Sequence, residues 1–230
     1  MGEELEVHKR GNNKVLFILL VLLPGIVLLY FAFLIWNGPP KQPRLKYFVA
    51  TEINGVDTTF HTVPNFNFIN ERKERVDSMV MEGKITVVDF FFTTCPTICP
   101  VMSQNLGKVQ DYFDEDEDVL ILSHTVDPET DTPEILANYA KTYNANPKQW
   151  MFLTGDKKAL YDQARRGYFI TAIQGDGGPN DFVHSEKLVL VDKNKHLRGY
   201  YDGTKEEEVQ KLIEHIEILK LEYGTHKKYR

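Results

Sequence analysis

The sequence predicts an α/β fold in which a central sheet is flanked by helices. Two observations carry this prediction. Continuous apolar, β-branched and aromatic runs occur at 85–94 and 119–126, and amphipathic segments alternate with them along the chain. Such runs are typical of strands buried on both faces, which occur in sheets covered by helices on both sides.

Each element follows from a local pattern. Strands at 47–51 and 58–63 are predicted to form a hairpin around the turn signal Asn54-Gly55. The run ITVVDFFFTT (85–94) is followed by a helix through about Asp111, and VLILSHTV (119–126) is the second buried strand. The later predicted elements are a helix at 132–143, a strand at 150–155, a helix at 156–167, a hairpin at 187–203 and a terminal helix at 205–221. This order of strands and helices is the thioredoxin-like arrangement.

An uncharged apolar run precedes this domain. Val15–Trp36 spans 22 residues, or about 33 Å of helix, against a hydrocarbon core of roughly 30 Å. A cleaved signal peptide is the alternative, but its apolar core would be shorter and 36–40 is a poor cleavage site. We therefore predict an N-terminal transmembrane helix. The chain then divides into a cytoplasmic tail at 1–14, the anchor at 15–36, a stiff tether at 37–46, the domain at 47–222 and a tail at 223–230.

Charge and cysteine content restrict the function. The formal net charge is −6, and the excess of acidic residues lies after the anchor because charges in 1–14 cancel. An acidic domain argues against nucleic acid as a partner, since nucleic-acid binders display basic faces. The chain has only two cysteines, and this even number permits a disulfide, a dithiol or a metal clamp.

The two cysteines, Cys95 and Cys99, lie where the first buried strand gives way to a helix. A helix N-terminus carries unpaired N–H groups and a partial positive charge, which favour thiolate over thiol. Their spacing sets both sulfurs on one face of the first turn. It is one residue longer than the redox-typical CxxC and suits two sulfurs that converge on a soft ion. Two thiolates are good ligands for copper(I), an added imidazole would give a trigonal site, and structural zinc would need a fourth ligand.

Three stretches now indicate a family: DFFFTTCPTICPVM (89–102), VDPETDTPEIL (126–136) and VHSEKLVLVDKNKHLRGYYDG (183–203). Over about residues 60–220 the chain resembles the Sco/SenC family of copper chaperones, which assemble the dinuclear copper centre of cytochrome c oxidase. The resemblance implies that Cys95, Cys99 and His184 bind one copper ion, as Cu(I) or Cu(II). It also implies two kinds of partner, the copper-centre subunit of the oxidase and an upstream copper donor or thiol reductant.

Two further residues near these motifs have alternative interpretations. The resemblance suggests that Asp127 supports the metal loop or docks a partner. A turn leading into a helix explains it equally well, because Asp131 or Thr132 can cap that helix. His124, on the second buried strand, is interpreted as a core or edge residue whose ring nitrogens are satisfied.

The function expected from these motifs is copper delivery without substrate turnover. The rival is a thiol–disulfide oxidoreductase that keeps the cysteines of the oxidase subunit reduced with the same two thiols. His184 separates the two, since the redox role does not require it. We expect a single-pass protein of a bacterial inner membrane with its domain in the periplasm, although the charges flanking the anchor do not fix its orientation.

Overall fold

The computed structural model describes residues 17–37, 44–48, 50–54, 57–170 and 185–224. The chain divides into two compact units, Met1–Gln42 and Pro43–Arg230. In the first unit a π-helical stretch, Ile18–Leu22, is followed by the helix α1, Leu23–Asn37. Pro24 has no N–H to donate, and the change in helical hydrogen bonding falls beside it. Among the described residues, no helix is both long enough and apolar enough to cross a membrane, so the anchor at 15–36 stays a prediction.

The second unit begins with the predicted hairpin. Its strands are β1, Ala50–Asn54, and β2, Asp57–Phe60, which pair antiparallel with Asn54 opposite Asp57. The hairpin is confirmed, and its strands lie closer to the turn than the sequence predicts.

The main sheet has seven strands within the described residues, in the order β4-β3-β7-β6-β5-β8-β9. Neighbours pair antiparallel except for β5–β6 and β6–β7, which are parallel. The strands are β3, Asn67–Asn70; β4, Arg75–Asp77; β5, Ile85–Phe91; β6, Val119–Thr125; β7, Trp150–Thr154; β8, Lys187–Val191; and β9, Leu197–Asp202.

Within the described residues four α-helices accompany this sheet: α2, Ile98–Tyr112; α3, Pro133–Thr142; α4, Lys157–Asp162; and α5, Glu206–Glu222. The helix expected at 156–167 is α4 followed by a π-helical turn, Gln163–Gly167. Residues of α2, α3 and α5 share one apolar core with one face of the sheet. Residues of α4 and the segment after it share a second core with the other face. Every residue of β5 and β6 is buried, as expected for strands covered on both sides.

The strands β3 and β4 are absent from the sequence-based prediction. They have only four and three residues, and their buried positions alternate with exposed ones. Such short segments carry little local signal, and the pairing of Ile69 and Asn70 with β7 fixes them in the sheet.

Candidate metal centre

Cys95 and Cys99 lie at the junction between β5 and α2, as the sequence predicts. The strand ends at Phe91, and the backbone N–H of Cys95 donates to the carbonyl of Phe92 at 3.2 Å. Helix α2 begins at Ile98, so Cys99 lies in its first turn and Cys95 precedes the helix. The prediction that the first turn carries both cysteines is therefore wrong. Both are free thiols, and their exposed fractions are only 5% and 2%.

The two thiols have opposite acidities. Burial by itself raises the pKa of Cys95. Hydrogen bonds from the backbone N–H groups of Cys99 and Thr97, with side-chain hydrogen bonds from the same two residues, outweigh burial and lower that pKa below its ordinary value. Burial raises the pKa of Cys99, and the neighbouring charges of Cys95 and Asp89 raise it further. Cys95 is therefore the more readily ionised sulfur, while Cys99 holds its proton and donates it toward Cys95.

A buried carboxyl in β5 acts on Cys99. Asp89, in β5, accepts a hydrogen bond from Ser123 Oγ at 2.5 Å, and Ser123 Oγ in turn accepts one from Trp150 Nε1 at 2.9 Å. Burial raises the pKa of Asp89 to about 7, against the weaker opposing effect of the Ser123 hydrogen bond. The charge of Asp89 therefore changes near neutral pH and acts on the Cys99 thiol.

The loop after β6 lies beside the cysteine loop. The N–H of Val126 donates to Phe91 O at 2.9 Å, which joins the ends of the two strands. Asp127 is half-buried and forms a turn, because its carbonyl accepts from the N–H groups of Thr130 and Asp131 at 3.1 and 2.8 Å. The turn interpretation of Asp127 is therefore confirmed, whereas a role in supporting metal or docking a partner stays a prediction.

The cap of α3 is Thr132, whose side chain accepts from the Ile135 N–H. Asp131 is fully buried instead. Its carboxylate accepts from the backbone N–H of Thr93 at 3.2 Å and from the hydroxyls of Thr93 and Thr125. Burial raises the pKa of Asp131, and these hydrogen bonds oppose the increase. Asp131 thus joins the end of β6 to the loop that carries Cys95.

The predicted third ligand, His184, lies outside the described residues. Across the described ranges, with their gaps including 171–184, no group of three or more His, Cys, Asp or Glu side chains is placed to hold a metal ion. The register of β8 is nevertheless informative. Val189 pairs with Val88 and Val191 with Thr86, so antiparallel β8 begins beside the carboxyl end of β5, the end that leads to Cys95. His184 precedes Lys187, the first residue of β8, by three positions.

His124 is a core residue, as expected, but the expectation that its ring is satisfied is wrong. Neither ring nitrogen has a hydrogen-bond partner within the described part of the chain. The ring stacks on Phe90 at 5.1 Å between centroids and meets Phe66, Phe68 and Tyr168 within 5.7–5.8 Å. These aromatic residues belong to the core on the opposite face of the sheet from the cysteines.

A family model described as SCO1/SenC matches residues 55–219 of the chain, which include the whole of this site. The chain belongs to the SCO1/SenC family.

Solved structures of Sco proteins share the fold. A SCO1/SenC family lipoprotein from Bacillus anthracis str. Ames is 26% identical with a TM-score of 0.62, and the match covers 69% of this chain and 94% of the other. BsSco, described as a member of the Sco family of cytochrome c oxidase assembly proteins with a disulfide switch, is 26% identical with a TM-score of 0.57, over 68% and 94%. ScoI of Arabidopsis thaliana, with copper bound, is 26% identical with a TM-score of 0.56, over 71% and 99%. These likenesses confirm the predicted thioredoxin-like α/β fold for the domain.

Two carboxyls near the cysteines, Asp89 and Asp131, have roles that the sequence does not predict. The sequence does contain a feature that could have identified Asp89, because a carboxyl inside an otherwise apolar buried strand requires a hydrogen-bond partner. The sequence around Asp131 is ambiguous, since it is equally typical of a helix cap.

Proposed function

We propose that this chain binds one copper ion through Cys95, Cys99 and His184 and delivers it to the dinuclear copper centre of cytochrome c oxidase. One observation carries the proposal: two free, buried thiols lie side by side where β5 gives way to α2. Soft thiolate sulfurs select copper(I), and Cys95 is poised to ionise because backbone N–H groups donate to its sulfur. Burial of both sulfurs would shield the ion from water and from oxidants.

The sheet register supports His184 as the third ligand. His184 lies three positions before Lys187, and three extended residues span at most about 11 Å. Since β8 begins beside the strand end that leads to Cys95, we propose that the imidazole of residue 184 completes the site with the two sulfurs. Two sulfurs and one nitrogen give the trigonal site that copper(I) accepts, and Cu(II) can occupy the same ligands.

Delivery requires that the partner's ligands replace those of the chain one at a time. We propose that the segment 15–36 anchors the chain in a bacterial inner membrane. We also propose that the tether at 37–46, whose last residues Leu45 and Lys46 accept hydrogen bonds from Arg198 of the domain, lets the domain reach the oxidase subunit from the periplasm. Such an arrangement raises the effective concentration of the domain beside its target. The likeness to a family lipoprotein is consistent with attachment to a membrane. A periplasmic domain also needs a thiol reductant, because its cysteines must be reduced before they bind copper.

The test is copper analysis of the full chain, reduced and kept in detergent. We expect one copper per chain in the parent and none retained in Cys95→Ser, Cys99→Ser or His184→Ala. The matched control is His196→Ala, since His196 lies at the far end of the β8–β9 hairpin from the cysteines. Full copper retention by His184→Ala would contradict the three-ligand proposal.

A thiol–disulfide oxidoreductase is the second candidate, and the unequal acidities of the two thiols favour it. An attacking thiol needs thiolate character, which Cys95 has, and Cys99 can resolve the mixed disulfide once it has given up its proton. The disulfide switch of BsSco concerns the same kind of chemistry in a similar protein. Reduction of a disulfide reporter by the metal-free chain separates the candidates: His184→Ala should leave this rate unchanged while it abolishes copper retention. Copper retention without any disulfide exchange would exclude the second candidate.

A further inference from the structure

We propose that Asp131 is a positioning residue for the cysteine loop, because its carboxylate fixes Thr93 and thereby places the sulfur of Cys95 for metal capture. The inference deepens the proposed copper function and rests on it. It concerns a side chain that touches neither sulfur and acts through the backbone that carries one of them.

The contacts of Asp131 converge on the cysteine loop. The backbone N–H of Thr93 donates to Oδ2 at 3.2 Å and approaches Oδ1 at 3.4 Å, and the Thr93 hydroxyl donates to Oδ1. The Thr125 hydroxyl donates to Oδ2 from the end of β6. A buried carboxylate is costly unless such donors surround it, so these hydrogen bonds hold the three segments together.

The position of Thr93 carries this restraint to the sulfur. Thr93 lies two residues before Cys95, in the short connection between β5 and α2. In that connection Cys95 N–H donates to Phe92 O, and the Cys95 sulfur lies 3.9 Å from Thr97 Oγ1. The backbone N–H groups of Thr97 and Cys99 donate to the Cys95 sulfur. They meet the sulfur only while the loop keeps this conformation.

Asp131 is itself held in place independently of the loop. Its backbone N–H donates to Asp127 O at 2.8 Å, and the next residue, Thr132, begins the helix α3 as its cap. The carboxylate is therefore not needed to cap the helix. The carboxylate oxygens instead accept hydrogen bonds from Thr93, just after β5, and from Thr125, at the end of β6. The chain after β5 continues directly into the cysteine loop.

The test substitution is Asp131→Asn, which keeps the shape but replaces one acceptor oxygen with a donor. We expect the Cu(I) affinity of the full chain, measured by competition with a chromogenic chelator, to fall about 10- to 100-fold, the usual effect of losing a contact that orients a metal ligand. In the metal-free reduced chain we expect alkylation of Cys95 by iodoacetamide at fixed neutral pH to slow about threefold or more, because the sulfur loses N–H donors. Thr93→Val removes only the hydroxyl donor, should act in the same direction, and serves if Asp131→Asn does not fold.

The matched control is Glu71→Gln. Glu71 is another buried carboxylate that accepts a backbone N–H, that of Phe152 at 3.0 Å. Its ion-pair partner Arg72 contacts Pro147, before the start of β7 and away from the cysteine end of the sheet. This control should change neither copper affinity nor the alkylation rate.

The outcomes separate the possibilities. Parent-like affinity and alkylation in Asp131→Asn would overturn the proposal, as would an equal loss in Glu71→Gln, which would mean a general effect of destabilisation. If the parent binds no copper while Asp131→Asn still slows alkylation of Cys95, the copper function fails and the positioning role of Asp131 survives.

Discussion

Replacing His124 with phenylalanine should remove a pH dependence of folding stability. Burial lowers the pKa of His124 from 6.5 to about 4, and its ring is enclosed by Phe66, Phe68, Phe90 and Tyr168. As the pH falls below 6.5, the unfolded chain takes up a proton at this position and the folded chain does not. The free energy of unfolding therefore falls as the pH is lowered from 6.5 to 4, and this group adds no further change below about 4.

The size of the effect follows from the two pKa values. The difference between 6.5 and about 4 corresponds to about 3 kcal/mol of unfolding free energy at 1.36 kcal/mol per pH unit. His124→Phe has no titrating ring and keeps an aromatic side chain against Phe90. Any change in packing shifts its stability equally at every pH, so only the slope reports the titration.

The assay is denaturant unfolding of the reduced, metal-free chain in detergent at several pH values between 4 and 7.5. We expect the stability of the parent to fall relative to that of His124→Phe by about 3 kcal/mol between pH 6.5 and 4. Asp89 titrates in the same window, but it is present in both proteins and cancels in the difference. Parallel stability curves for the two proteins would refute the burial of a neutral His124 ring.

Two other substitutions and one alkylation reaction test the charges of Asp89, of the Arg198–Asp192 ion pair and of the two thiols. Burial raises the pKa of Asp89 to about 7, so its ionisation destabilises the folded state of the parent. As the pH rises from about 4 to 7, the unfolding free energy of Asp89→Asn should therefore increase relative to that of the parent by about 4 kcal/mol in denaturant unfolding. Arg198→Met should lose about 3–5 kcal/mol in the same assay, because it leaves the buried Asp192 carboxylate, 2.8 Å from the guanidinium, without its partner. Brief treatment of the reduced chain with iodoacetamide near pH 7 should label Cys95 before Cys99, as read by peptide mass, because the pKa of Cys95 is lowered and that of Cys99 is raised.

Controls and contrary results accompany these predictions. Lys108→Met breaks an exposed ion pair with Glu206 and should lower the free energy of unfolding by less than about 1 kcal/mol. If Arg198→Met lowers it by an equally small amount, the buried ion pair is not important for stability. If the difference in unfolding free energy between Asp89→Asn and the parent does not change between about pH 4 and 7, Asp89 is ionised throughout that range and burial does not raise its pKa. Equal labelling of the two cysteines would contradict their unequal acidities.

Much of the fold is predictable because its central strands carry a strong local signal. The apolar runs that became β5 and β6 are buried along their whole length, and the amphipathic segments after them became α2 and α3. The strands β3 and β4 are not predictable in this way, because their four and three residues gain their structure from pairing with each other and with β7.

The candidate site divides in the same manner. The positions of Cys95 and Cys99 follow from a strand that leads directly into a helix. The orientation of Asp131 does not, because its carboxylate accepts from the hydroxyl of Thr93, 38 residues earlier in the chain, as well as from that of Thr125. Among the described residues the ring of His124 has no hydrogen-bond partner, and this is likewise decided by its aromatic neighbours in the core rather than by its place in β6.

The most direct test of the proposed copper centre is X-ray absorption spectroscopy at the copper edge of the loaded full chain. Two sulfur ligands and one imidazole nitrogen per copper are expected in the parent, with the imidazole contribution lost in His184→Ala and retained in His196→Ala. A parent spectrum with no imidazole, or with fewer than two sulfurs, would contradict the central claim that Cys95, Cys99 and His184 share one copper ion.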